Sequence, residues 1–296
     1  MSTFDEWAAR STRLPVDGGV AVALYDSAAF PEADPALADA PVLTYCHGYP
    51  SSTHDLEPVL DRLDGWRFVG IDLIGFGASD KPHERLTIHR QADAVEAAWR
   101  HLGTTSTVLE SHDYGVSVGQ ELLARRAEGG LDVEVTAAIW HNGGLYPDLH
   151  RPTVGQQLLR DPEHGAEVAA AMTEELFRSG IEVTWGERVP FTEEVSHEMW
   201  VGLARDGGST MAHDLLHYMD DRLEHADRWR AALEGNGLPQ TSVWGALDPV
   251  SGAHVMERLQ VRLPDATHVP LADVGHWPTL EAPDEVAAAV ESHRPA

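Results

Sequence analysis

The chemistry of this chain gathers around one acid. Asp113 lies in Ser111-His112-Asp113-Tyr114-Gly115, after the apolar run Thr107-Val108-Leu109 and before a stretch of helical periodicity that starts at Val116. A small residue, a nucleophile and a glycine at alternate positions between strand and helix make a sharp turn that exposes the central side chain. Here that side chain is a carboxylate rather than a hydroxyl. An aspartate attacking an ester carbonyl would form a reactive anhydride. One attacking a saturated carbon forms an alkyl ester that water can later hydrolyse. The residue type therefore points to an electrophilic sp³ carbon, as in an epoxide or an alkyl halide.

Such a nucleophile needs a base, a partner for the base and donors for an oxyanion. Asp248, in Trp244-Gly245-Ala246-Leu247-Asp248-Pro249, and His276, in Asp273-Val274-Gly275-His276-Trp277, each follow an apolar strand-like run. The order nucleophile, acid, histidine suits an elbow of this kind. His47-Gly48-Tyr49-Pro50 follows another strand, and the amides of Tyr49 and Tyr114 are the expected oxyanion donors, with His47 beside them. Each segment has a plainer reading. Asp248-Pro249 and Gly48-Tyr49-Pro50 also suit ordinary turns, and His276 is one of 17 histidines.

The elements that must position these groups alternate along the first half. Runs at 20–25, 41–46, 66–72, 107–111 and 133–140 read as strands, with helical periodicity at about 53–63, 87–102 and 116–127. From about Gly144 to Trp229 the strand signal stops and helices are expected at 156–159, 165–177, 193–204 and 210–222. Strands resume at 240–244 and 267–271, and a last helix covers 283–293. This predicts a mostly parallel sheet with helices on both faces. The core comprises residues 1–143 and 230–296, and a helical cap, 144–229, is inserted over the carboxyl edge where ligands bind.

Forty-eight acidic residues against 21 Lys and Arg leave a net charge of −27, which argues against a nucleic-acid partner. The single cysteine, Cys46, precludes an intrachain disulfide. The start, Met1-Ser2-Thr3-Phe4-Asp5, has no signal-peptide pattern, and no apolar run is long enough to span a membrane. A cytoplasmic protein is expected. Gly75-Phe76-Gly77-Ala78-Ser79-Asp80 lacks the third glycine of a dinucleotide loop, and neither paired cysteines nor His-Glu-x-x-His occurs, so no cofactor or metal is implied. Nothing in the sequence speaks to the oligomeric state.

Taken together, His47-Gly48-Tyr49-Pro50, Gly75-Phe76-Gly77-Ala78-Ser79-Asp80-Lys81-Pro82, the Asp113 elbow, Asp248 and His276 resemble the α/β-hydrolase superfamily, and the aspartate narrows this to its epoxide hydrolase and haloalkane dehalogenase branch. Within that branch the chain looks like the mesoderm-specific transcript proteins, through Ser111–Gly115, Gln120–Leu123, Asn142–Gly144, His150–Pro152 and Leu247–Val250. The resemblance implies an eight-stranded α/β-hydrolase fold with a cap, an Asp113–His276–Asp248 triad, and water plus a small apolar epoxide or haloalkane as reactants. A dehalogenase of this branch would carry Trp after the nucleophile and Asn or Trp in the oxyanion loop; Tyr114 and Tyr49 stand there instead. An epoxide hydrolase would place tyrosines on the cap. Tyr218 resembles one of them, whereas Tyr146 fits the other poorly, leaving His150 or a Trp N–H as substitutes. Trp185, Trp200, Met211, Leu215 and Met219 suggest an apolar cap, whether for substrate or for packing. Haloalkane dehalogenation, a serine esterase using Ser111 or Ser117, and a non-catalytic binder on the same scaffold remain as alternatives.

Overall fold

The computed structural model describes residues 1–295. Eight strands form one sheet: β1 (Thr12–Val16), β2 (Val20–Asp26), β3 (Val42–Cys46), β4 (Arg67–Ile71), β5 (Ser106–His112), β6 (Glu134–His141), β7 (Gln240–Gly245) and β8 (Thr267–Leu271). Their spatial order is β1-β2-β4-β3-β5-β6-β7-β8. β2 is antiparallel to both its neighbours, and the remaining pairs are parallel. β1 carries no sequence signal of its own. Pro15 interrupts it and only Leu14 of its residues is buried, which an edge strand tolerates.

Helices α1 (Phe4–Ala8), α2 (Glu57–Leu60), α3 (Ile88–Leu102) and α4 (Tyr114–Ala127) precede β6. Between β6 and β7 lie α5 (Val154–Leu159), α6 (Gly165–Ala170), α7 (Glu174–Glu182), α8 (Glu193–Ala204), α9 (Ala212–Leu215), α10 (Tyr218–Glu224) and α11 (Ala226–Gly235). After β7 come α12 (Ala253–Arg262), α13 (Pro278–Glu281) and α14 (Pro283–Glu291). Alternation along β5 feeds two cores: Leu109 packs with Trp99 of α3 and Leu122 of α4, while Val108 packs with Val286 and Val290 of α14. α3 shows why such a helix forms. Ile88, Ala92, Val95 and Trp99 make one buried stripe, Thr87 caps the first turn, and Gly103 (φ 65°) closes the last in the left-handed region.

The helical segment departs from its sequence pattern in its breaks. The helix expected over 165–177 is divided at Thr173, whose side chain accepts the Leu176 N–H and starts α7. The one expected over 210–222 is divided between α9 and α10. α11 runs across the expected 229/230 boundary, because the Trp229 indole donates to Glu121 of α4 at 2.8 Å and ties this helix to the layer against the sheet. No helix among the described residues is long and apolar enough to cross a membrane.

The start of α4 is pressed against β3. A Cβ at Gly115 would come within 2.0 Å of the Cys46 carbonyl oxygen. Gly115→Ala should therefore cost about 1–3 kcal/mol through forced displacement of α4, read as a lowered urea midpoint with an unchanged m-value.

Candidate active site

β5 ends at His112 and α4 begins at Tyr114, so Asp113 alone makes the turn, with φ 47° and ψ −107°. A non-glycine residue held there stores of order 1–3 kcal/mol. Its N–H donates to the Asn142 carbonyl at 3.0 Å, and its own carbonyl accepts Arg222 Nη2 at 2.8 Å. The carboxylate is divided between two duties. Oδ1 accepts the Tyr49 amide at 2.9 Å, and Oδ2 lies 3.3 Å from His276 Nε2. The other ring nitrogen of His276 is 2.7 Å from Asp248 Oδ2. Asp248 also accepts from Asn142 Nδ2, Ser251 Oγ and the Val250 amide at 3.0, 2.7 and 2.7 Å. Loops following β5, β7 and β8 thus bring Asp113, Asp248 and His276 together.

Electrostatics reinforce this geometry. Burial opposes the charge on His276, yet Asp248 and Asp113 outweigh it and push the imidazole up to about 10. Burial would likewise raise Asp113, but His276, with Arg222 and His112, holds it well below the usual carboxylate range. Asp248 is pulled down to about 2 against the effect of burial, chiefly by His276. These directions favour an imidazolium held between two carboxylates.

Above Asp113 lies a cavity of about 290 Å³ whose wall includes Tyr49, His276 and Trp277 from the core and Leu159, Met172, Phe177 and Ile181 from the helical segment. Leu158 and Leu176 also line it, yet stay 52% and 62% exposed, forming an apolar rim. The apolar residues singled out from sequence lie elsewhere. Met211, Leu215 and Met219 are buried in the core cluster on the α4 side, while Trp185 and Trp200 pack beside Phe177 and Trp277.

Several expected groups take other places. His47 does not face the cavity: Nε2 accepts the Leu73 amide at 2.9 Å and Nδ1 meets the Gly48 carbonyl at 2.9 Å, so both ring nitrogens brace the loop. Tyr114 opens α4, where no helix carbonyl accepts its amide, and its ring packs 4.7 Å from that of Tyr218. Tyr218 is buried with an unpartnered hydroxyl and is not on the cavity wall; the tyrosine among the wall residues is Tyr49. Tyr146 Oη donates to Glu234 at 3.3 Å, away from the cavity. His150 has two buried, unpartnered ring nitrogens, and burial together with Arg222 brings it down to about 4. Ser111 Oγ is buried beneath Gly119, and Ser117 Oγ accepts Arg222 Nε at 2.7 Å, so neither hydroxyl opens to the cavity.

Two contributors went unrecognised in the sequence. Asn142 ties β6 to the Asp248 loop, its Oδ1 accepting the Gly245 amide at 2.7 Å; Asn142-Gly143-Gly144 directly after a strand was the available signal. Arg222, inside an ordinary charged helix, gave none.

The raised His276 has a consequence for stability. Its folded value exceeds its unfolded one, so its contribution is complete below about pH 6.5 and is lost as pH rises through the folded value. The melting temperature should thus fall between pH 7 and 10 more steeply for the wild type than for His276→Gln.

The model of the family described as alpha/beta hydrolase fold matches residues 41–283. A Mycobacterium tuberculosis protein named as a hydrolase, LipZ, is 34% identical over 86% of this chain and 88% of its own. The mesoderm-specific transcript homolog protein of Bos taurus is 33% identical over 82% and 75%. Among solved structures, the haloalkane dehalogenase DbeA-M1 loop variant of Bradyrhizobium elkanii superposes with a TM-score of 0.74 at 19% identity, covering 95% of this chain and 94% of that one. With its sheet order, its elbow and this match, the chain belongs to the α/β-hydrolase fold family.

Proposed function

We propose that this hydrolase opens small apolar epoxides to vicinal diols through an alkyl ester on Asp113, with the segment between β6 and β7 acting as the cap over the reaction. The observation that carries this reading is the divided carboxylate. Oδ1 is pinned by the Tyr49 amide, Oδ2 lies beside His276, and Asp113 is among the residues lining the cavity. A nucleophile so held is ionised and aimed, and its retained oxygen already sits where an oxyanion will form.

In the first step Oδ2 bonds to a ring carbon as the carbon–oxygen bond of the epoxide breaks. The departing alkoxide needs a proton. The Tyr49 phenol supplies it and is reprotonated by the imidazolium of His276. Proton loss leaves His276 a neutral base, and loss of charge on Asp113 favours that state. In the second step His276 takes a proton from water, whose oxygen bonds to Cγ of Asp113. The oxyanion gathers at the Tyr49 and Tyr114 amides. Collapse expels the alkyl oxygen, which takes the proton from His276. The carboxylic acid left on Asp113 returns its proton to the imidazole, restoring the starting state.

Halide displacement fits less well. The indole on the cavity wall, Trp277, donates its N–H to Thr184 Oγ1 at 3.0 Å rather than toward Asp113.

Asp113→Ala should abolish diol formation from terminal epoxides such as styrene oxide. His276→Gln should form the ester and fail to release it, seen as one substrate mass added to the peptide holding Asp113. Halide release from bromoalkanes without epoxide turnover would reverse the assignment. Tyr49→Phe keeps the amide and loses the phenol, so ester formation should slow by about 100-fold, measured by rapid quench.

A further inference from the structure

Arg222 is a buried cation that makes no ion pair among the described residues. It projects from α10 one turn after Tyr218, its guanidinium 4.3 Å from that ring. Nε donates to Ser117 Oγ at 2.7 Å and Nη2 to the Asp113 carbonyl at 2.8 Å. Nη1 is buried without a hydrogen-bond partner. It rests on Gly144, where a Cβ would come within 2.2 Å of it. The acid beside it in sequence, Asp221, is committed elsewhere, pairing with Arg85 at 2.8 Å and accepting the Ile88 amide at 2.8 Å. The hydrogen bond of Arg222 to the Asp113 backbone brings its charge to the residue whose carboxylate it helps to hold ionised.

A buried cation without an ion pair is sensitive to any change of charge on its neighbours. Resting on the reading of Asp113 as the alkylated group, we propose that Arg222 is a positioning residue that sets the balance between the two half-reactions. Alkylation turns the carboxylate into a neutral ester and removes a negative charge from the residue that the guanidinium is bonded to. Attack of water on Cγ returns negative charge to the same carboxyl group and restores the balance. Arg222 thus stabilises the starting carboxylate and the oxyanion of the second step, and penalises the ester between them. It acts through Asp113 and touches no reacting atom, which a merely architectural brace would also do. What distinguishes it is the direction of the effect, which is opposite for the two steps.

Rapid-quench intact-mass kinetics with styrene oxide tests this on the full chain. Arg222→Gln should form the ester at least as fast as wild type and hydrolyse it about 10- to 100-fold more slowly, the range for losing one interaction with a charged group. The ester should then accumulate at steady state, and Arg222→Lys, which retains the charge, should recover most of the hydrolysis rate. Should Arg222→Gln fail to fold, Ser117→Ala, which frees the Nε end, must shift the same ratio in the same direction. Equal slowing of both steps, slowed alkylation without accumulation, or an unchanged ratio in a folded variant overturns the proposal. Absence of any adduct in both wild type and His276→Gln overturns the parent reading instead.

Discussion

One imidazole shared between two carboxylates sets the terms for this molecule. His276 lies 2.7 Å from Asp248 and 3.3 Å from Asp113, and the three side chains are nearly sealed from solvent. Each would be costly to bury alone; together they hold a defined charge state. The architecture around them serves this arrangement. Asn142 fastens the Asp248 loop to β6, the Tyr49 amide anchors one oxygen of Asp113, and the close approach at Gly115 lets α4 begin directly after the nucleophile. The backbone strain at Asp113 persists because partners on several elements hold it in place.

Most of this frame could be read from the residues. Parallel strands buried on both faces are runs of apolar side chains, and those runs located seven of the eight strands. The elbow, Asp248 and His276 were legible because each sits just past such a run, where loops at the carboxyl edge converge. β1 was invisible, since an edge strand needs little burial and accepts Pro15. The roles of His47 and Tyr218 were harder to foresee, for a motif fixes a residue's address and not the direction of its side chain. His47 turns both nitrogens onto backbone, and Tyr218 packs its ring on that of Tyr114.

The helical segment resisted reading for a different reason. Its helices are short, and helices of this length draw their stability from tertiary packing more than from intrinsic preference. Their ends are decided by single caps such as Thr173, and their inward faces by what lies beneath. Apolar residues at helical spacing could therefore be recognised without knowing which would face the cavity. Leu159, Met172 and Phe177 do; Met211, Leu215 and Met219 belong to the core below. Arg222 belongs to the same class of hidden residue, since its importance arises from the carbonyl it meets across the fold.

The apolar rim at Leu158 and Leu176 stands on a chain with a net charge of −27. Such a surface repels anions at long range, and added salt relaxes that repulsion. An uncharged solute experiences no such field and is captured only by short-range contact with exposed side chains. Entry of a neutral molecule at this rim should therefore be indifferent to ionic strength, and entry of an anionic one should rise with added salt.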